Sequence, residues 1–202
     1  MDEEATVTVR GRALGIAESH AAGERSTVAG AVCRRDRVLD GLAYTTISIG
    51  GTDGTARYVD LWETLDREDV GYVLVAGVAP AWFNLVDLPR LAAAVERPVI
   101  GVSFEASPGL EDALRDAFDG DALDARLALY DRLPERRRVT LGEDTGDAGD
   151  AETLFVQSVG LDAEAAARVV RAYTPEGGRP EPLRVARLAA RAAERFGRTD
   201  GL

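Results

Sequence analysis

The chain has 202 residues, 46% of them hydrophobic, and this length and composition predict one folded globular domain rather than a disordered chain. Its 35 acidic residues outnumber its 24 basic ones, all of which are arginines, and the formal net charge is −11. So acidic a surface opposes non-specific phosphate binding. Any nucleic-acid contact therefore requires a local arginine patch, recognition of shape, or base stacking. The composition favours a halophilic protein, because net charge maintains solubility in concentrated salt, but a GC-rich genome gives similar codon usage.

The single cysteine and the single histidine limit the chemistry that the chain can perform. Cys33 has no partner for an intramolecular disulfide, and its apolar strand pattern predicts a buried thiol in a reducing interior. His-rich metal sites and His-dependent triads are excluded unless His20 takes part, and its polar surroundings predict an exposed turn. The acidic amino terminus and the lack of an apolar run of about 20 residues predict a cytoplasmic protein without signal peptide or membrane span.

The amino-terminal part of the chain predicts three strands in succession, at 6–16, 26–34 and 38–49. A charged turn joins the second strand to the third, and short turns of this kind produce an antiparallel meander. A glycine-rich turn at 50–55 follows, and the apolar spacing at 56–65 then predicts a helix.

The rest of the chain alternates strands with helices. The predicted elements are a buried strand at 72–75, a helix around 85–95, a strand at 99–104, helices at 109–118 and 122–133, an exposed Gly/Asp-rich loop at about 141–151, a strand at 154–159, and helices at 162–173 and 182–196. This order predicts a single α/β domain over 1–202 with a mixed sheet of five or six strands. We expect the ribonuclease-H-like type, in which an antiparallel three-strand meander joins parallel strands, helices cover both faces, and the first strand lies centrally beside 72–75.

The loop after the strand at 72–75 is where we expect function, because sites in open α/β sheets form beyond the carboxyl ends of strands. Trp82 and Phe83 have the flat faces on which a flipped base stacks, and they suit a core or interface position equally well. Asn84 is either a nucleic-acid contact or a helix cap. Arg184 either binds a phosphate or stacks on a base, or it pairs with Glu181 or another acidic residue.

Six segments resemble one known family; they are LGIAES (14–19), GTDGT (51–55), LVAGVAPAWFNLVDL (74–88), RPVIGVS (97–103), LFVQSVGLDAEAA (154–166) and RPEPLRVARLAA (179–190). The set resembles the archaeal family known as domain of unknown function number ninety-nine, a relative of endonuclease V, over nearly the whole chain. Its most specific part is Pro-Glu-Pro-Leu-Arg at 180–184, since endonuclease V proteins have a similar strand, helix, Pro-Glu-Pro-Thr-Arg order.

The resemblance implies a DNA-repair endonuclease that acts on DNA at a deaminated base, deoxyinosine in endonuclease V and deoxyuridine in proposed relatives. It also implies carboxylates that converge on one or two Mg²⁺ ions, which position the attacking water. The family pattern places these carboxylates where this sequence has Ala17, Ala76 and, within one residue, Ala56. Alanine cannot bind a metal, so the expected set of ligands is missing.

Three nearby carboxylates remain as candidate catalytic residues, Glu18, Asp53 and Asp87, and the first two are the candidate Mg²⁺ ligands. Neighbouring residues on a strand point to opposite faces, so Glu18 replaces a ligand at position 17 only if the strand has ended or bulges. The alternatives are a solvated Glu18 and an Asp53 that caps the following helix.

Three functions therefore stay open from the sequence. The first is an active Mg²⁺-dependent endodeoxyribonuclease. The second is a non-catalytic descendant that binds nucleic acid, a protein partner or a second copy of itself, as a homodimer, through the same cleft. The third is a small-molecule hydrolase or phosphotransferase, for which the glycine turn lacks the Gly-Lys pair of a phosphate-binding loop.

Overall fold

The computed structural model describes residues 9, 11–19, 23–141, 153–175 and 178–199. In these residues the strands are β1 (Arg12–Ser19), β2 (Arg25–Arg34), β3 (Leu39–Ser48), β4 (Val70–Ala76), β5 (Val99–Ser103), β6 (Arg137–Thr140) and β7 (Thr153–Val159). The helices are α1 (Gly54–Leu65), the short α2 (Pro80–Phe83), α3 (Leu88–Val95), α4 (Glu111–Ala117), α5 (Gly120–Tyr130), α6 (Ala163–Tyr173) and α7 (Glu181–Thr199).

All of these strands belong to one mixed sheet with the order β3-β2-β1-β4-β5-β7-β6. The first three strands pair antiparallel, which confirms the predicted meander, and β1, β4 and β5 pair parallel at the centre. The last two strands are antiparallel again. The predicted number of strands was too low because β6 was missed: it has four residues, and Val139 is its only buried side chain, so it lacks an alternating pattern.

Helices cover both faces of the sheet, as predicted. On one face, Leu14 and Ile16 of β1 share a buried cluster with Tyr58 and Leu61 of α1, and α3 packs beside them. On the other face, Ala17 of β1 packs against α7, and α6 extends the cover over β5 and β7. Alternate residues of β1 therefore face different helices, and α7 lies over the side to which Gly15 and Ala17 point, with α6 beside it near Ala13.

Helix α7 lies so close to β1 that only a glycine fits at residue 15. A Cβ atom at Gly15 would lie 2.2 Å from the carbonyl carbon of Pro182, in the first turn of α7. In the same turn, Arg184 donates to both carboxylate oxygens of Glu181, at 2.7 and 2.6 Å. The Pro-Glu-Pro-Leu-Arg segment thus packs the first turn of α7 closely against the sheet. Arg184 forms the ion pair with Glu181 that the sequence offered as one interpretation.

Cys33 is fully buried in β2, as predicted. Burial, assisted by the negative charge of Glu181, raises the pKa of its thiol to about 11. The thiol is therefore protonated and inert at neutral pH.

Several predicted boundaries change in the structure. The first strand, predicted at 6–16, continues to Ser19, and the helix expected from about 85 begins at Leu88. Thr140 belongs to β6, and Leu141, the first residue of the predicted exposed loop, is buried. His20 and residues 142–152, which hold the rest of that loop, lie outside the described residues. Among the described helices, none combines the length and the apolarity that a membrane crossing requires.

Candidate nucleic-acid site

A cavity of about 350 Å³ opens where the parallel strands β1, β4 and β5 end. Residues from these strand ends and from the loops that follow line it, among them Glu18, Gly77, Gly101, Ser103, Arg136 and Gln157. This is the edge of the sheet at which a site is expected in an open α/β fold. The loop after β4 therefore forms one wall of the candidate site.

One wall of the cavity holds polar groups in fixed orientations. Arg136 stacks on the ring of Phe155 at 4.0 Å and donates to Ser103 Oγ through Nε and Nη2, at 3.2 and 3.1 Å. Desolvation by burial lowers the pKa of Arg136. Gln157 Nε2 donates to the carbonyl of Pro134 at 2.8 Å, which fixes its amide. The sequence reasoning missed Arg136, because its partners lie on a distant strand.

The three positions where the family pattern expects metal ligands hold alanines in different surroundings. Ala17 is 1% exposed and packs with Ala186 of α7, and Ala76 packs against the same cluster. A carboxylate at position 17 would be buried beneath α7, away from water. Ala56 lies exposed in the first turn of α1. Ala17 therefore belongs to the core, whereas Ala76 is half-buried and also lines the cavity.

Glu18 does not take the place of a ligand at position 17. β1 pairs with β2 in regular register through Glu18 and Ser19, so there is no bulge and the two neighbouring side chains leave opposite faces of the sheet. Glu18 lines the cavity and accepts a hydrogen bond from Ser26 Oγ. It is thus a partly buried carboxylate with its own partner.

Asp53 is held inside the turn between β3 and α1. Its Oδ1 accepts from the Ser48 backbone N–H at 3.0 Å and from Asn84 Nδ2 at 2.6 Å, and its Oδ2 accepts from Ser48 Oγ at 3.2 Å. Asp53 stands at the N-cap position of α1, but its side chain makes no capping hydrogen bond, so that prediction was wrong. The reason is that Ser48 and Asn84 occupy its oxygens.

Asn84 supplies the missing cap from a distant part of the chain. Its Oδ1 accepts from Gly54 N, the first residue of α1, at 2.8 Å, and its Nδ2 also donates to the carbonyl of Ser48 at 2.8 Å. Asn84 is fully buried. Its amide therefore joins the end of β3, the start of α1 and the loop after β4, and its hydrogen bonds are directed into the protein.

Asp87 has a structural role of its own. It caps α3 by accepting from Arg90 N at 3.0 Å, and its second oxygen accepts from Arg132 Nη2, also at 3.0 Å. Within the described ranges, no three His, Cys, Asp or Glu side chains come together in a way that could hold a metal ion. The described residues therefore do not fit a Mg²⁺ site built from Glu18, Asp53 and Asp87.

The loop after β4 contains a rare left-handed turn. Ala81, Trp82 and Phe83, the last three residues of α2, have φ values of 48°, 54° and 63°. Left-handed backbone costs non-glycine residues roughly 1–2 kcal/mol each, so surrounding contacts must stabilise this turn. One is the hydrogen bond from Gly50 N to Ala81 O at 2.7 Å. Gly50 also leaves room for Trp82, whose ring carbon lies 2.7 Å from where a Cβ would be.

Arg126 connects the left-handed turn to the glycine turn. It is 6% exposed, and its Nη2 donates to the carbonyls of Gly50 and Gly51 at 2.5 and 3.1 Å. Its Nε donates to the carbonyl of Phe83 at 3.3 Å, and its guanidinium stacks on Phe118 at 3.8 Å. Desolvation by burial lowers its pKa. Sequence reasoning missed Arg126, because its distant partners are backbone carbonyls, 76, 75 and 43 positions away for Gly50, Gly51 and Phe83.

The left-handed turn presents an aromatic surface next to the cavity. Trp82 is 56% exposed and packs against Phe83 and Phe118, with ring centroids 6.2 and 5.1 Å apart. Pro80, two residues earlier, lines the cavity itself. The structure thus places Trp82 at the surface rather than in the core.

We expect Asp53 to make the free energy of unfolding depend on pH. Burial opposes its charge, but the hydrogen bonds from Ser48 and Asn84 outweigh burial and hold the pKa of Asp53 below its usual range. A carboxyl group of this kind stabilises the fold above its unfolded pKa of about 3.9 and loses that contribution as pH falls through the folded pKa. The difference in urea midpoint between wild type and Asp53→Asn should be largest near neutral pH and shrink below about pH 4. A difference that does not change with pH contradicts this assignment.

Solved structures with the same arrangement define the fold. The chain matches human ENDOV with a TM-score of 0.60 at 16% identity, covering 93% of this chain and 86% of that one. Ciona intestinalis endonuclease V, in complex with DNA containing an inosine, gives a TM-score of 0.60 at 13% identity over 92% and 87% of the two chains. A protein of unknown function from Archaeoglobus fulgidus gives 0.77 at 25% identity over 91% and 98%. The fold is therefore endonuclease V-like, with a ribonuclease-H-like sheet.

Sequence similarity assigns the family. The family model described as endonuclease dU matches residues 10–194, and the chain belongs to this family. A UPF0215 protein of Pyrobaculum aerophilum is 33% identical over 191 residues, which are 93% of this chain and 97% of that relative. These similarities support the endonuclease V-like resemblance drawn from the motifs, and its numbered label stays a prediction.

Proposed function

We propose that this chain recognises a deaminated base in DNA, deoxyuridine or deoxyinosine, and that it is a non-catalytic descendant of the nuclease fold. The observation that carries the proposal is the contrast at one edge of the sheet. The cavity there is open, while the expected ligand positions hold Ala17, which packs beneath α7, and Ala76, which lines the cavity with a methyl group instead of a carboxylate. A Mg²⁺ ion supplies water activation and charge stabilisation when bound at such an edge, but the described carboxylates do not fit it.

In this proposal the cavity receives the flipped base. The fixed polar groups of Ser103, Arg136 and Gln157 line it, and hydrogen bonds to the edge of a flipped base are how such proteins distinguish bases. Trp82 stacks on the neighbouring base, which its exposure allows, while Phe83 supports its ring and Asn84 positions the loop.

The second candidate is an active endonuclease with a rearranged site that uses Glu18 and Asp53. Membership of the endonuclease dU family favours it, as does the inosine-containing DNA bound by the Ciona intestinalis structure. The two candidates differ in one measurable outcome, which is cleavage of the damaged strand.

The experiment measures binding and incision together on labelled oligonucleotides that carry deoxyuridine, deoxyinosine or an undamaged base. Mg²⁺ and Mn²⁺ are tested in turn, over the KCl concentrations at which circular dichroism shows the folded protein. We expect at least about tenfold tighter binding to one deaminated base, equivalent to about 1.4 kcal/mol, and an intact strand. Incision that disappears in Asp53→Asn supports the second candidate instead.

Trp82→Ala tests the stacking contact within the same assay. Loss of one aromatic stack costs about 1–3 kcal/mol, so affinity should fall at least about fivefold. Tyr44→Ala is the matched control, because Tyr44 is 49% exposed on the edge strand β3, away from the cavity. Equal losses for the two variants contradict a specific role for Trp82.

A further inference from the structure

A cluster of arginines lines a second concave surface, on the outer side of α7. This arginine groove has a volume of about 330 Å³ and is lined by Arg179, Arg184, Arg187, Leu188 and Arg191. Leu188 is 53% exposed within it. In a chain with a net charge of −11, four arginines around one groove are a local reversal of charge.

Two of these arginines are already engaged and two are not. Arg184 forms the bidentate pair with Glu181, and Arg179 stacks over the ring of Phe104 at 4.0 Å. Across the ranges that the structure describes, Arg187 and Arg191 form no ion pair. Burial first, and then the positive charges of Arg191 and Arg179, lower the pKa of Arg187. These like charges repel one another in the free protein, and an anion in the groove relieves the repulsion.

The arginine groove leads to the same edge of the sheet as the cavity. Helix α7 runs alongside β1 in the same direction, from Pro182 against Gly15 in the middle of the strand to Glu194, which accepts from Ser19 Oγ at 2.7 Å at the strand end. Arg187 and Arg191 lie between these two contacts on the helix.

One contact and one electrostatic interaction also connect the groove with the cavity. Arg179 stacks on Phe104, which stands in the chain between Ser103 and Glu105, and both of these line the cavity. Glu18, another cavity residue, is close enough for its charge to act on Arg187. A DNA strand with one base in the cavity therefore has a path for its backbone over the groove.

We infer that the arginine groove binds phosphates of the DNA strand whose base enters the cavity, through the guanidinium groups of Arg187 and Arg191. Guanidinium donates two parallel hydrogen bonds to a phosphate, a geometry that retains strength where screening weakens simple charge attraction. Arg179 and Leu188 form the walls beside it. The inference rests on the proposed function for the identity of the strand.

The test compares the salt dependence of DNA binding between wild type and Arg187→Gln/Arg191→Gln. Each phosphate contact contributes about 0.7 to the slope of log K against log salt for single strands, so the slope should become shallower by about 1.4. Arg34→Gln/Arg168→Gln is the matched control: it removes the same charge from arginines on β2 and α6 that already pair with Asp36 and Glu164. The control should retain the wild-type slope. Thermal unfolding is measured for both double variants to verify that they are folded.

The possible outcomes distinguish phosphate binding in the arginine groove from base recognition in the cavity. A shallower slope with an unchanged preference for the deaminated base supports the inference, whereas an unchanged slope overturns it and leaves base recognition intact. Wild-type binding without base preference, but with the shallower slope in the variant, overturns the proposed function and retains the groove. A labelled poly-glutamate that binds as tightly as DNA, and loses affinity in the variant, overturns the groove as a phosphate site. A wild type that binds neither polymer overturns both.

Discussion

The variant Gly15→Ala is expected to lower the free energy of unfolding by about 3 kcal/mol, the upper part of the range for overpacked cores. The added methyl group would lie 2.2 Å from the carbonyl carbon and 2.3 Å from the oxygen of Pro182, so either β1 or α7 must move. Both contacts are to backbone, which cannot turn aside as a flexible side chain does. For a chain of this length the thermal midpoint should fall by roughly 6–12 °C, measured by circular dichroism at fixed KCl.

Gly197→Ala is the matched control for this variant. Gly197 lies near the end of the same helix, and a Cβ there meets nothing within 4 Å. Replacing a glycine within a helix by alanine stabilises by up to about 1 kcal/mol, so the same substitution should have the opposite sign on α7. A Gly15→Ala midpoint equal to that of the wild type contradicts the close contact between α7 and β1.

The close packing of α7 on β1 and the absence of carboxylates at the expected ligand positions are related. Gly15, Ala17 and Ala186 are small residues on facing surfaces of β1 and α7, and Ala76 of β4 packs beside them. Small side chains allow the helix to approach the sheet closely, which fills the space beneath it. Of the positions that carry carboxylates in the family pattern, Ala17 thus serves packing here, and the half-buried Ala76 does so in part.

The sequence predicted the central strands and most helices because their signals are local. The apolar run of β4 and the Asp162 cap of α6 can be recognised within a few residues. β6 escaped because its four residues carry three polar side chains and gain order only from pairing with β7. The number of strands was therefore underestimated, because the pairing of β6 with β7 leaves no signal in the local sequence pattern.

The site was less predictable for the same physical reason. Asn84 is the only asparagine in the sequence, and its loop was correctly singled out, but its partner is the start of a helix 30 positions earlier. Arg126 binds carbonyl oxygens, which every residue possesses, so no side-chain type marks its partners. The left-handed turn at 81–83 contains no glycine and so lacks the usual sequence signal for positive φ.

Asn84→Ala is expected to lower the free energy of unfolding by about 3 kcal/mol. Loss of a helix cap costs about 1 kcal/mol, and a buried group left without a partner costs about 1–3 kcal/mol. Gly54 N loses its acceptor, and Asp53 and the carbonyl of Ser48 lose a donor. Urea unfolding measures the change. A loss below about 1 kcal/mol indicates that water replaces the amide and that Asn84 does not hold the loops together.

Asn84→Asp distinguishes the role of the amide oxygen, which accepts from Gly54 N, from that of the amide nitrogen, which donates to Asp53. The new carboxylate keeps an acceptor for Gly54 N, but it faces Asp53 Oδ1, which accepts from Asn84 Nδ2 at 2.6 Å in the wild type. Two carboxylates at that separation cannot both remain ionised without a large penalty, so the pair takes up a proton with a raised pKa. A raised folded pKa destabilises most at high pH, and the penalty shrinks as pH falls through that pKa toward the unfolded value of about 3.9.

The variant should therefore gain stability between neutral pH and about pH 5, whereas the wild-type Asp53 contribution does not increase over that interval. Combining Asp53→Asn with Asn84→Asp exchanges the two groups and restores one amide facing one carboxylate. At neutral pH the combined variant should recover part of the stability that Asn84→Asp loses, which is the coupling expected of two side chains in direct contact. Additive losses in the combined variant would mean that Asn84 and Asp53 do not interact, and the cap of α1 would then be independent of the turn that carries Asp53.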